Sequence, residues 1–167
     1  WHRINPGTPF ISNSKSNNNE YGKMPYDWGC VFPSAPVFVD DEIRIYYGAS
    51  DWYFFDWRKG GLALATLDKN RWAGYEAIND IEPAVVTTIS MSLSNKIFIS
   101  ADVQPQGSVN VGILDENGNK VMESQTVTKS CTDLEITLKE SVELSNTNKL
   151  RIQFILNHSK IYSFSIR

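Results

Sequence analysis

The segment 51–57, with the sequence DWYFFDW, combines the residue types best suited to binding chemistry in this chain. It has five aromatic residues among seven positions, between two predicted strands where a hairpin normally has polar turn residues. Sugar rings stack their apolar C–H faces on Trp and Tyr, while their hydroxyls bond carboxylates and Arg. The pattern therefore predicts a carbohydrate-binding site made by Asp51, Trp52, Tyr53, Trp57 and Arg58.

The same aromatic loop has two further interpretations. Phe54 and Phe55 have no polar group, so the loop also fits an aromatic plug that packs against an adjacent sheet or domain. Exposed aromatic residues also occur on surfaces that bind a protein partner. All three interpretations remain open at the level of sequence.

Three carboxylates lie near the aromatic loop and raise the question of catalysis: Asp27, Asp51 and Asp56. Glycoside hydrolysis needs one carboxyl group to protonate the leaving oxygen and another to attack or to activate water, about 5–10 Å apart. Each of the three also fits a turn residue that accepts hydrogen bonds from its own backbone. The sequence therefore leaves the catalytic residues unknown.

Other kinds of catalytic or cofactor site have no support in the sequence. His2 and His158 are almost a chain length apart, and neither has metal-ligand spacing around it. No serine lies in a Gly-x-Ser-x-Gly elbow, and Gly60-Gly61 lacks the frame of a phosphate-binding loop. We expect no metal and no cofactor.

Composition argues against several partners. The net charge is −3 with acidic and basic residues interspersed, which predicts no binding to nucleic acid or to anionic lipid. There is no apolar run of about 18 residues, so we expect no membrane insertion. The start WHRINPGTPF has no initiator Met and no signal-peptide regions, so we expect Trp1 to be internal to a longer protein.

Two features bear on the cellular compartment. Cys30 and Cys131 have neither CxxC nor metal spacing, and they fit either free thiols or a disulfide between domains. Asn157-His158-Ser159 is a glycosylation sequon, which is usable only in a secretory compartment and on an exposed turn.

The elements that must position these residues are strands, because period-two alternation recurs and helical periodicity is nearly absent. Four strands are predicted at 35–39, 42–48, 61–67 and 72–76. Asp40-Asp41 and Asp68-Lys69-Asn70 favour tight turns, because these side chains bond their own downstream backbone. The pattern predicts a four-stranded antiparallel meander.

The composition changes after Pro83 toward Val, Ile, Ser and Thr. We place a domain boundary near residue 80, which divides the chain into domains 1–79 and 80–167. Further strands are predicted in the second domain at 84–93, 96–103, 108–114, 121–126, 133–138, 150–156 and 161–166. Their spacing, with turns at 105–107 and 157–159 among others, predicts an antiparallel β-sandwich in an all-β chain.

Several segments carry a resemblance to a known group of proteins. A lone meander of about 50 residues has the length of one propeller blade, which normally buries its faces against neighbouring blades. The segments at 28–29 (WG), 34–37 (SAPV), 41–49 (DEIRIYYGA), 57–58 (WR) and 61–67 (GLALATL) resemble the last blade of five-bladed β-propeller glycosidase-like proteins. Glycoside hydrolase families 32 and 43 and the β-mannoside phosphorylases have similar patterns. The segments 107–118, 150–154 and 161–164 resemble the β-sandwich that follows that propeller.

The resemblance implies that the chain is a terminal β-propeller blade of an incomplete propeller, followed by a β-sandwich. It implies the C-terminal portion of a glycoside hydrolase-like protein that acts on or binds carbohydrate, in an extracellular or secretory location. The family's catalytic carboxylates would lie on earlier blades, outside this chain. Remaining propeller blades or another protein chain would cover the exposed blade. The alternatives are a non-catalytic glycan-binding, adhesive or structural protein of the same architecture, and a proteolytic product held to its other half.

Overall fold

The computed structural model describes residues 6–15, 24–53, 58–92, 96–138 and 149–167. Across these residues the chain is all β, its strand pairs are antiparallel and none of it is helical, which confirms the predicted all-β class. The chain forms two compact units, the first unit (Trp1–Lys69) and the second unit (Asn70–Arg167). This division lies before the boundary that the composition suggested near residue 80.

The first unit is a sheet built around one central strand. Its strands are β1 (Cys30–Pro33), β2 (Val37–Val39), β3 (Glu42–Ser50) and β4 (Gly60–Asp68). β4 pairs with the full length of β3, from Glu42 opposite Asp68 to Ser50 opposite Gly60. β1 and β2 therefore share the other edge of β3, each pairing with a different part of it.

The two faces of this sheet differ in burial. Ile43, Ile45, Tyr47 and Ala49 alternate along β3 and are buried on one face. Because directly paired residues point to the same side, the opposite face collects side chains from all four strands. We call it the exposed apolar face, and it consists of Phe32, Val37, Tyr46, Leu62 and Leu64.

The second unit is a sheet centred on two long strands. Its strands are β5 (Tyr75–Glu76), β6 (Ala84–Thr87), β7 (Met91–Ser92), β8 (Ile97–Leu114), β9 (Lys120–Glu123), β10 (Cys131–Glu135) and β11 (Lys149–Ile166). β8 and β11 have 18 residues each and pair with one another, from Arg151 opposite Leu114 to Ile166 opposite Ile97. β9 and β10 extend the sheet beyond β8, while β5, β6 and β7 pair with β11.

The predicted breaks in β8 and β11 are wrong. The turn signals at 105–107 and 157–159 were expected to end strands, but both segments lie inside continuous strands. The register moves from Asn157 opposite Ser108 to Ser159 opposite Val103, so several residues of β8 oppose His158 alone. Residues that tolerate a positive φ therefore form a β-bulge here rather than a hairpin, with φ of 67° at Gln106 and 42° at His158.

The predicted fourth strand of the first sheet is also wrong. Only Tyr75–Glu76 of the segment 72–76 is a strand, and it pairs with Ile161 and Lys160 of the second unit. Gly74 permits this pairing, because a Cβ atom there would lie 2.7 Å from the carbonyl oxygen of Ile161. β1, which was not predicted, takes the fourth place in the first sheet.

The second unit has the larger core. Alternate residues of β8 and β11 meet on one side of the sheet and are buried, among them Val111, Ile113, Ile152, Phe154 and Leu156. Met122 and Ile136 join the same cluster. In the described part of the chain, no helix has the length and apolar character needed to cross a membrane.

Candidate functional site

Three aromatic side chains meet at one end of the first sheet. Cys30 pairs with Ser50, so the residues that precede β1 run beside those that follow β3. This register brings Trp28 next to Trp52 and Tyr53. We call Trp28, Trp52 and Tyr53 the aromatic cluster.

The rings of the aromatic cluster pack mainly edge to face. The Trp28 and Tyr53 ring centroids are 4.9 Å apart at an angle of 72°, and those of Trp52 and Tyr53 are 5.5 Å apart at 71°. The Trp28 and Trp52 centroids are 5.5 Å apart. Such contacts hold the rings in fixed orientations, while 43% of Tyr53 stays exposed to solvent.

Gly29 makes this arrangement possible. Its backbone N–H donates to the carbonyl oxygen of Ser50 over 2.8 Å. A Cβ atom at this position would overlap the carbonyl oxygen of Trp52. The close approach of the two backbones therefore requires glycine between Trp28 and β1.

Asp51 closes the base of the aromatic loop. It is only 3% exposed, and its Oδ1 accepts a hydrogen bond of 2.9 Å from the backbone N–H of Lys59. The Asp51 N–H donates back to the Lys59 carbonyl over 3.3 Å. Oδ2 is buried and has no hydrogen-bond partner among the described residues. The carboxylate thus joins the two ends of the loop.

The remaining predicted binding residues differ in what the structure describes. Arg58 is exposed, and its Nη1 donates to the carbonyl oxygen of Tyr53 over 3.3 Å. This bond keeps the guanidinium next to the aromatic cluster. Trp57 lies outside the described residues, and so does the candidate carboxylate Asp56.

Asp27 forms a second buried polar site in the first unit. Its side chain is completely buried and accepts the Ser14 N–H on both oxygens, at 2.8 and 2.9 Å. The Tyr47 hydroxyl donates to Asp27 Oδ2 over 3.2 Å and lies 3.0 Å from the Tyr26 hydroxyl. Burial, followed by these two neighbours, raises the pKa of Tyr47. Asp27 therefore anchors the 13–15 segment to β3.

The described residues contain no metal-binding cluster and no disulfide. Within the described ranges, no group of three or more His, Cys, Asp or Glu side chains could hold a metal ion. Cys30 and Cys131 are both free thiols, so the disulfide alternative is not formed. Burial raises the pKa of the Cys131 thiol, which keeps it protonated and poorly nucleophilic at neutral pH.

Sequence reasoning found part of this site and missed another part. It selected Asp51, Trp52, Tyr53 and Arg58, which the structure brings together at one loop base. It missed Trp28 as a site residue, because only the pairing of β1 with β3 moves Trp28 to the loop. The available signal was the Trp-Gly pair just before β1, since glycine has no Cβ and permits a close backbone approach.

Comparisons with known proteins returned no similarity. No protein-family model matches the chain. No curated protein and no solved structure matches it either.

Proposed function

We propose that this chain is the C-terminal portion of a glycoside hydrolase-like protein that acts on or binds carbohydrate, and that the aromatic cluster contacts the sugar. The observation that carries the proposal is a fixed group of three aromatic rings with Tyr53 exposed at 43%. A pyranose or furanose ring places C–H groups on one face, which pack favourably on such rings.

Arg58 adds polar recognition to this surface. One of its guanidinium N–H groups bonds the Tyr53 carbonyl, and a guanidinium has five N–H donors in all. The other donors of this exposed side chain suit hydroxyl oxygens of a bound sugar. Asp51 holds the two ends of the loop together by accepting a hydrogen bond from the Lys59 N–H.

The exposed apolar face supports the view that the first sheet is a propeller blade. Phe32 is 65% exposed and Leu62 is 79% exposed, on the same face as Tyr46 and Leu64. Large apolar surfaces of this kind mark contact sites. In this proposal the remaining propeller blades, or another protein chain, cover the face, and the second unit is the β-sandwich that follows the propeller.

A non-catalytic glycan-binding, adhesive or structural role is the second candidate function. Asp27 is completely buried and Asp51 nearly so, and each bonds backbone N–H groups. Neither carboxylate is disposed to protonate a leaving group or to activate water on a bound sugar. In the enzyme proposal the catalytic carboxylates lie outside this chain, as the resemblance to propeller glycosidases implies, and in the alternative they are absent from the whole protein.

The location proposed for either function is extracellular or secretory, where complex glycans are met. The sequon does not meet its condition of an exposed turn, because Asn157 lies inside the continuous strand β11, so the sequon adds no support to this proposal. Fractionation of cells that produce the protein naturally tests the location. Recovery from the cytosol alone would contradict it.

Titration of the 167-residue chain with neutral oligosaccharides of glucose, mannose, xylose and fructose, followed by calorimetry, tests the binding proposal. Replacing Tyr53 by Ala is expected to weaken binding about tenfold, since a ring contact contributes about 0.5–1.5 kcal/mol beyond its buried area. Tyr75→Ala, at a 67% exposed tyrosine of the second unit, is the matched control and is expected to bind normally. Absence of binding to all four series, or equal binding by Tyr53→Ala, would contradict the proposal.

A further inference from the structure

A polar pocket lies in the second unit, apart from the residues of the aromatic cluster. Its volume is about 300 Å³, at the lower end of the about 300–1,000 Å³ typical of small-molecule sites. Side chains of β8 and β11 and of the 76–82 segment line it. The lining includes Asp80, Glu82, Gln104, Asn157, His158 and Lys160.

One wall of the pocket is formed by the bulge in β8 and β11. Gln106 and His158 both have a positive φ there, at 67° and 42°. Gly107 permits the close approach of the two strands, since a Cβ atom at that position would overlap the carbonyl oxygen of His158. Bulges of this kind redirect side chains and are common beside functional sites.

A second register shift in β11 also lies at the pocket. Ile161 pairs with Ala101 but Ser163 pairs with Ser100, which leaves Tyr162 as the extra residue. Gly74 lies against this position, where an added Cβ would be 3.0 Å from Cδ1 of Tyr162. The contact brings the chain after β5 over the pocket, and Asn79 Oδ1 orders it by accepting the N–H groups of Ile81 and Glu82.

Charges of both signs surround the cavity. Asp102 accepts the Tyr162 hydroxyl over 2.8 Å and pairs with Arg71 over 3.1 Å. Lys160 pairs with Glu76 over 3.1 Å. The lining has four carboxylates, those of Glu76, Asp80, Glu82 and Asp102, against the single ammonium of Lys160, which is already paired. The arrangement therefore disfavours an anionic ligand.

Several polar groups in the lining have hydrogen-bonding capacity to spare. The side-chain amides of Gln104 and Asn157 and the carboxylate of Glu82 bond no other described residue. An amide both donates and accepts, and a carboxylate accepts on two oxygens. Two neighbouring hydroxyl groups on a small ring can each donate and accept a hydrogen bond. Their spacing matches the spacing of the two polar atoms of an amide or a carboxylate.

We infer that this pocket binds a polyhydroxylated molecule of monosaccharide size that carries no negative charge, recognised through hydrogen bonds by Glu82, Gln104 and Asn157. The inference does not depend on the proposed function, because it rests on different residues in the other unit. The Tyr162 ring already packs against the Arg71 guanidinium, 5.2 Å from the ring centroid. Recognition here is therefore polar rather than by stacking.

NMR titration of the 167-residue chain with glucose, galactose, mannose and fructose tests the inference. We expect at least one of them to shift the side-chain amide signals of Gln104 and Asn157 at millimolar concentration. Glucuronate, which adds a negative charge to the same ring, is expected to bind about tenfold more weakly. No shift with any neutral sugar, or tighter binding of glucuronate, would overturn the inference.

Substitutions of the lining residues test whether the sugar binds in this pocket. Gln104→Ala and Asn157→Ala are each expected to raise Kd about tenfold through the loss of a hydrogen bond. If either variant folds poorly, Glu82→Gln replaces it in the test, because this isosteric change preserves the shape of the pocket. Gln125→Ala, at an exposed amide outside the lining, is the control. Tyr53→Ala is expected to leave the pocket shifts unchanged, so this test and that of the aromatic cluster fail separately. Unchanged affinity in all three pocket variants would overturn the inference.

Discussion

The two units use the same antiparallel pairing but differ in how much of their apolar surface they bury. In the second unit, β8 and β11 pair along 18 residues each and their alternate side chains form one buried cluster. In the first unit, β3 buries one face while the exposed apolar face keeps Phe32 and Leu62 in water. Backbone pairing is antiparallel in both sheets, so the difference lies in the apolar area removed from solvent.

The cause is visible in the alternation of the strands. Along β11, Ile152 and Phe154 are buried between partly exposed Gln153 and exposed Arg151, as in a sheet with one wet face. Along β4, by contrast, Leu62 and Leu64 point away from the buried side of the sheet. A strand with apolar residues on both faces is typical of a sheet covered on both sides.

Separating the two units gives the strongest test of this difference in buried apolar surface. We expect residues 70–167 alone to unfold in a single cooperative transition, because this unit contains its own buried cluster. Residues 1–69 alone are expected to show no cooperative transition as a monomer. Urea unfolding followed by circular dichroism measures both, and equal cooperativity of the two fragments would contradict the contrast.

Matched phenylalanine substitutions measure the same difference in burial within the intact chain. Phe154 is 2% exposed and Phe32 is 65% exposed. Phe154→Ala is expected to lower the free energy of unfolding by about 3–5 kcal/mol through loss of burial and creation of a cavity. Phe32→Ala should change it by less than about 0.5 kcal/mol. Urea titration of both variants gives the values, and similar losses would mean that Phe32 is buried in solution.

A hydroxyl substitution examines the buried polar site of the first unit. Tyr47→Phe removes the donor to the buried Asp27 carboxylate and is expected to cost about 1–3 kcal/mol. Tyr46→Phe, on the exposed apolar face, is the neighbouring control and should cost less. The free energies of unfolding of the two variants test this prediction. An equal loss in both would mean that the hydrogen bond from Tyr47 to Asp27 does not stabilise the protein.

The smallest effect concerns alkaline pH in the second unit. Burial and the bond to Asp102 raise the pKa of Tyr162 to about 12, from an ordinary value of 10.0. The unfolded chain therefore loses this proton first, so the stabilisation is complete below pH 10 and is lost as the pH rises toward 12. Tyr162→Phe should flatten the decline of unfolding free energy over that interval. A decline as steep as in the parent chain would exclude Tyr162 as a source.

Local chemistry predicted much of the first sheet. The turns at Asp40 and Asn70 were expected from their side chains, and both residues have a positive φ, 52° and 64°. The alternation of β3 correctly placed its pairing with β4. Trp52 and Tyr53 could be selected as site residues because aromatic residues in a loop contradict ordinary turn composition.

The errors arose where distant segments compete for the same strand edge. The 72–76 segment has local strand character, but β11, far along the chain, provides its partner. The signals at 105–107 and 157–159 read as turns when each is taken alone. Opposite one another they become a bulge, because the alternation continues on both sides of it.

The sequence by itself determined the all-β class, the tight turns of the first sheet and the aromatic character of its loop, since these follow from alternation and side-chain chemistry over a few residues. Only the tertiary structure decided which edges pair, that Trp28 joins Trp52 and Tyr53, and that Gln104 and Asn157 line one pocket. Register and close backbone approach at Gly29, Gly74 and Gly107 depend on contacts between distant residues, which no local pattern records.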